Sequence, residues 1–208
     1  MPVRLAFIRP LSPSAAVRPP KGDDWPKWDG FRFQVIKDGS NKVRLYSRHG
    51  AEYTDRLPGM VEAFGKLPTQ SAIVDGELLI DPQGSTQFYR LMAQMRTSHP
   101  DESRLMFLAF DLLHQDGVDL RALPLSERKR DLDRLCRKSK VPYLSQVETF
   151  PDGPVLFDYC NRFAFEGVVS KRRSSRYSGG PSRNWLKVKC PGWKRINLSC
   201  SRDCASPS

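Results

Sequence analysis

The sequence predicts a single domain of mixed α/β or α+β class. Short runs rich in β-branched and aromatic residues alternate with runs of helical spacing. The runs Phe31–Lys37 and Lys42–Arg48 flank Asp38-Gly39-Ser40-Asn41, the pattern of an antiparallel hairpin. The chain has 208 residues, 39% of them hydrophobic and 27% charged, which suffices for one substantial core and a short appendage.

The elements follow in order. Residues 1–24 are rich in proline and are expected to lie extended over the surface. Leu5 to Ile8 is a brief apolar patch closely followed by prolines, which argues against a signal peptide. After the hairpin, Asp55 to Lys66 has a helical pattern with Pro58 in its first turn. Ser71 to Ile80 reads as a strand ending in the turn Asp81-Pro82-Gln83-Gly84. Thr86 to Thr97 has helical spacing at Phe88, Leu91, Met92 and Met95. Arg104 to Leu113 is almost continuously apolar, as a buried central strand requires. Ser126 is the expected N-cap of a charged helix reaching Lys138. Val141 to Thr149 reads as a strand, Gly153 to Arg162 as a helix, and Gly167 to Lys171 and Asn184 to Lys189 as strands. From Pro191 the sequence loses periodicity. Residues 191–208 form a short tail, expected to be disordered and too short for a second globular domain.

Composition narrows the classes. No apolar run approaches the ~20 residues of a membrane helix. Five cysteines at irregular spacing, with no Cys-x-x-Cys pair, point to free thiols in a reducing compartment. The net charge of +11 suits a polyanionic partner. Its distribution says more: between Glu166 and Asp203 there is no acidic residue, while Lys171, Arg172, Arg173, Arg176, Arg183, Lys187 and Lys189 follow one another. A solvated basic face is the plain reading, and contact with nucleic acid the functional one.

The residues that carry chemistry start at Lys27, in Lys27-Trp28-Asp29-Gly30-Phe31-Arg32. An amine attacks phosphorus only when neutral, so a nucleophilic lysine needs neighbouring cations or desolvation; Lys187, Lys189 and a divalent cation would supply the charge. Asp29-Gly30 is either simple turn chemistry or a place where backbone approaches a ligand. Arg32 shares a strand face with Gly30 and Gln34 and has the reach to contact a phosphate or ribose. Asp75 and Glu77, two apart in a strand, share a face and suit ribose hydroxyls or a metal. Glu166 is a second metal-ligand candidate. Phe110 is either core packing or a platform for a base. Lys187 and Lys189 share a face, either solvated or converging on a phosphate.

Lys27-x-Asp29-Gly30-x-Arg32, Asp75-Gly76-Glu77-Leu78, Phe107 to Leu113, Glu166-Gly167-Val168-Val169 and Trp185-Leu186-Lys187-Val188-Lys189, in this order, resemble the adenylation core of ATP-dependent DNA ligases. Within that family the chain most resembles the ligase domain of the bacterial end-joining ligase D and its stand-alone relatives, over residues 5 to 195. The resemblance implies an α+β fold: a ligase-type, ATP-grasp-like nucleotidyltransferase domain of antiparallel sheets flanked by helices at residues 25–190, without a complete OB-fold. It implies ATP and Mg2+ as cofactors and a covalent lysyl-AMP at Lys27. Arg32, Arg48, Glu77, Phe110, Lys187 and Lys189 would bind the nucleotide, Glu77 and Glu166 the metal, and Arg172, Arg173, Arg176 and Arg183 the nucleic acid. The implied partners are nicked or broken double-stranded DNA and end-joining proteins, in the bacterial cytoplasm and away from membranes. The chain departs from the family pattern at Trp25, where a glutamate two residues before the lysine is usual. The competing class is a non-catalytic DNA-binding remnant of a ligase.

Overall fold

The computed structural model describes residues 4–20, 24–27, 30–39, 42–80, 87–163 and 165–193, with backbone alone at 24–27 and 87–89. Two sheets face each other. The smaller has the order β1(Leu11–Ala15), β10(Gly180–Lys189), β9(Gly167–Lys171), β2(Asp24–Lys27). The larger runs β4(Val43–Ser47), β3(Phe31–Lys37), β5(Ala72–Ile80), β6(Leu105–Gln115), β7(Val118–Asp119), with β8(Leu144–Gln146) added parallel to β6. Nearly all other pairings are antiparallel; β1 runs parallel to β10. The helices are α1(Pro58–Gly65), α2(Gln87–Gln94), α3(Leu125–Lys138) and α4(Gly153–Arg162). This is the α+β arrangement of antiparallel sheets flanked by helices that the family resemblance implies.

Strand alternation sorts the apolar residues into three layers. Ile36, Ile73, Leu79, Leu108 and Leu113 of the larger sheet meet Leu11, Tyr177 and Trp185 of the smaller side in the layer between the sheets. Phe33, Val35, Leu45, Val74, Leu78, Phe107 and Leu112 point the other way, under α1, α2 and α3. Val168 and Val188 pack outward against Leu156 and Cys160 of α4.

Local chemistry explains most boundaries. Pro58 opens α1, where its missing N–H costs nothing. The Asp152 carboxylate accepts the Val155 N–H at 3.0 Å and caps α4. The Asp55–Lys66 helix is shorter than expected: a 3-10 turn at Thr54–Arg56 precedes it. The strand expected over 141–149 keeps only β8.

Two expectations change. Ser126 is not the cap of α3: Pro124 holds that position, and the first N–H groups, of Leu125 and Ser126, are accepted by the carbonyls of Ser175 and Arg173. A loop distant in sequence does what a local side chain was expected to do. The proline-rich segment also enters the fold. β1 pairs with β10 through a register break at Pro13/Ser14, and Leu11 is fully buried. A break of that kind is where a proline, which has no N–H for the ladder, is tolerated. The turn at 81–84 and residues 194–208 lie outside the described residues, as does Asp29.

Candidate active site

The site grows from β9, which lies between β2 and β10. Lys27, Gly167 and Lys189 are aligned across these three strands, and Trp25, Val169 and Lys187 form the next row. Because Val168 and Val188 face α4, alternation turns Gly167, Val169, Lys187 and Lys189 toward the larger sheet, on the face that carries Trp185. Gly167 is required there. Its φ is +150°, and a Cβ would lie 2.0 Å from the Val188 carbonyl oxygen.

Glu166 precedes β9 and is buried; its Oε1 lies 3.6 Å from the Lys189 ammonium, and its carbonyl accepts the Cys190 N–H. Lys189 is more than half exposed and also lies 5.3 Å from the Trp193 ring. Across the cleft, Glu77 is opposite Arg32 in the β3–β5 ladder. Gly30 makes that approach possible: a Cβ there would lie 2.4 Å from the Leu78 carbonyl oxygen and 2.9 Å from Glu77 Cγ. Glycine is therefore used at residue 30 for close packing on β5, beyond turn formation. Glu77 and Glu166 are carboxylates of the kind magnesium takes together with water and phosphate oxygens. Among the described residues no three carboxylate, imidazole or thiolate side chains converge as a metal cluster.

Phe110 is set by a bulge. Asp75 pairs with Asp111 and Gly76 with Ala109, so Phe110 has no partner on β5. A bulge re-aims the extra side chain; here the Phe110 ring, half-buried, enters the inter-sheet layer. Asp111 is fully buried and paired with Arg128, whose guanidinium also donates to the carbonyls of Leu123 and Ser175.

Arg32 occupies the floor of this layer. Its guanidinium donates to both carboxylate oxygens of Asp75, at 2.9 and 2.6 Å, and to the Leu11 carbonyl. Tyr177 donates to Asp75 at 2.6 Å and accepts the Leu11 N–H at 3.0 Å. Burial opposes the Arg32 charge, but Asp75 outweighs it and holds the guanidinium above its ordinary range. Burial, then Asp75, keeps the Tyr177 phenol protonated far above its usual range. Arg32 thus ties β3, β5 and β1 together beneath Phe110, its guanidinium carbon 5.1 Å from the ring centroid.

The predicted cations separate into groups. Arg172, Arg173, Arg176 and Arg183 are exposed on the loop between β9 and β10 and at the start of β10. Arg48 is exposed at the end of β4 and donates to the Ser12 hydroxyl at 3.2 Å. Lys171, one of the basic run after Glu166, is instead buried between the sheets. Burial, reinforced by the charge of Lys129, lowers it well below the ordinary lysine range. Lys129 itself is lowered to about 8 by burial. Sequence reading missed Lys171, Tyr177 and the Asp111–Arg128 pair. For Lys171 a signal existed: it alternates with Gly167 and Val169, on the face opposite Val168.

Comparison with known proteins fits this geometry. The family described as the ATP dependent DNA ligase domain matches residues 12–189. The multifunctional non-homologous end joining protein LigD of Pseudomonas aeruginosa is 33% identical over 191 residues, covering 88% of this chain and 22% of that protein. A probable DNA ligase of Rhodococcus opacus is 34% identical over 166 residues, covering 78% of this chain and 33% of its own length. This chain therefore spans a third or less of these relatives. The solved structure of a mycobacterial DNA ligase D complexed with ATP and MES superposes with a TM-score of 0.73 at 28% identity, over 86% of this chain and 59% of that one.

Proposed function

The chain belongs to the ATP-dependent DNA ligase family, and on that premise we propose that it is a nucleotidyltransferase core that takes AMP from ATP onto Lys27 and passes it to a DNA 5′-phosphate for nick sealing in repair. The observation that carries the reading is the row Lys27–Gly167–Lys189, with Glu166 beside it and Lys187 in the next row. Lys27, the lysine pair and a carboxylate, drawn from three separate motifs, stand on or beside adjoining strands, which supports that reading.

The chemistry follows from these placements. Neutral Lys27 attacks the α-phosphorus of ATP; the N–P bond forms, the bond to the leaving oxygen breaks, and pyrophosphate departs as the amine loses a proton. An oxygen of the DNA 5′-phosphate then attacks the AMP phosphorus and releases the lysine. Finally the 3′-hydroxyl attacks the activated 5′-phosphate, loses its proton, and expels AMP. Lys187 and Lys189 offset charge on the phosphoryl oxygens in these in-line displacements and favour the neutral form of Lys27. Phe110 stacks on the base, and Glu77 with Arg48 holds the ribose and phosphate side. Arg32 acts from beneath, by bracing the strands that carry Glu77 and Phe110. Magnesium, held by Glu77 and Glu166, supplies Lewis-acid charge neutralisation when bound. Arg172, Arg173, Arg176 and Arg183 grip the duplex backbone. The LigD relative is named a non-homologous end joining protein, which favours end-joining proteins as partners; nicked or broken DNA as substrate and the bacterial cytoplasm as setting complete the proposal.

The test is intact-protein mass spectrometry after incubation with ATP and magnesium. An AMP-sized gain that Lys27→Ala abolishes is expected. No gain in wild type, together with failure to seal a pre-adenylated nick, would leave a DNA-binding remnant as the function.

A further inference from the structure

Lys171 ends β9 and points away from solvent. Its Nζ lies 4.0 Å from the centroid of the Trp185 ring and 4.3 Å from that of Phe110. Trp185 is its cross-strand partner in the smaller sheet, whereas Phe110 comes from the bulge of the larger one. The two rings meet edge to face, 6.2 Å apart at 77°. One ammonium, itself buried and with its charge opposed by that burial, therefore contacts an aromatic ring from each sheet, and cation–π attraction is strongest where the charge is desolvated.

The bulge gives this contact a purpose. A bulged residue is released from the ladder, so its ring is oriented by side-chain contacts. Among the described residues, the cations Lys171 and Arg32 make such contacts with Phe110. Arg32 is committed to Asp75 of its own sheet and to the Leu11 carbonyl and Tyr177 hydroxyl of the facing side. Lys171 reaches Phe110 from the facing sheet. We propose that Lys171 is a positioning residue that clamps the Phe110 ring to Trp185 across the cleft, in the orientation in which the nucleotide base stacks. The proposal rests on the nucleotide-site reading above, and makes the affinity for the base a property of a residue that need not touch it.

Lys171→Met keeps side-chain length and removes the charge. Its KM for ATP in lysyl-AMP formation is expected to rise about tenfold, a size between those of an exposed and a fully desolvated cation–π contact, while the rate at saturating ATP stays within about threefold. In a Phe110→Leu background the same change should add less than about twofold, because the two side chains act as one unit. A KM like that of wild type, full additivity with Phe110→Leu, or a collapse of the saturated rate at unchanged KM would overturn the clamp; the last would mean direct phosphate contact. A second readout needs no catalysis. The Phe110 ring resonances of the ligand-free protein, identified by their loss in Phe110→Leu, should shift in Lys171→Met, and unchanged resonances would overturn the proposal. If wild type forms no adduct, the lysyl-AMP reading fails while the ring resonances still decide the clamp.

Discussion

Asp111 and Arg128 meet in a two-pronged ion pair, Nε to Oδ1 at 2.8 Å and Nη2 to Oδ2 at 3.0 Å, with both side chains completely buried. Asp111 directly follows the bulged Phe110, and Arg128 stands in the first turn of α3, close to the loop whose Ser175 carbonyl it also holds. The pair therefore fixes the bulge, the helix and the basic loop relative to one another.

Removing one partner strands a buried charge. Arg128→Met should lower the unfolding free energy by about 3–5 kcal/mol, whereas Arg128→Met combined with Asp111→Leu should recover much of that loss. Urea titration of the two variants against wild type checks this. Equal losses in the single and the double variant would mean that packing, rather than charge, dominates.

Tyr177→Phe deletes one hydroxyl that serves Asp75, Arg32 and the Leu11 N–H. The Leu11 N–H would be left buried and unpaired, at a cost of about 1–3 kcal/mol. A lower thermal midpoint is expected, together with faster amide exchange at Leu11, since β1 loses a tie to the floor.

Lys129 gives a pH signature with a definite sign. Its folded-state value, about 8, lies below its ordinary 10.5, mainly through burial. The folded state therefore disfavours the charged form. That penalty is fully present below pH 8 and fades as the pH rises toward 10.5. Lys129→Met should be more stable than wild type at pH 7, and its advantage should shrink across this window. Denaturation midpoints of the two proteins, compared at matched pH, separate this effect from that of every group the two share. An advantage that does not change with pH would sink the assignment.

The exposed arginines carry a salt prediction. Replacing Arg172, Arg176 and Arg183 by alanine should weaken binding to nicked duplex DNA and flatten the dependence of log K on log salt by about 0.9 per lost phosphate contact. Lysyl-AMP formation should be unaffected. Fluorescence anisotropy at several salt concentrations measures the slope, and a slope equal to that of wild type would place the DNA elsewhere.

What the sequence made legible is what depends on local pattern. The hairpin, the apolar β6, the α4 helix and the β9 strand are readable because alternation and helical spacing act within a few residues. The lysine pair on β10 and the glycine-bearing motifs were readable for the same reason. What stayed hidden was set by distant partners. Ser126 looked like a cap, but carbonyls from residues 173 and 175 satisfy the helix instead. Leu11–Ala15 looked like a surface segment because its prolines forbid a regular ladder, yet β10 accepts it in parallel. Lys171 read as one more surface cation, and only the facing sheet turns it inward. Arg32 read as a ligand contact, and only the fold shows how much of its donor capacity Asp75 and Leu11 take up.

The smaller sheet joins β1 and β2, from the first part of the chain, to β9 and β10, from the last. During synthesis Lys27 has no neighbouring strand until β9 has emerged from the ribosome, and no lysine pair until β10 follows. The larger sheet, built mostly from strands close in sequence, is free to form beforehand, while the smaller one must close a long loop first. Under the proposed lysyl-AMP chemistry, an incomplete chain would lack the strands that flank Lys27, so the order of its own strands would hold back reaction until synthesis is nearly finished.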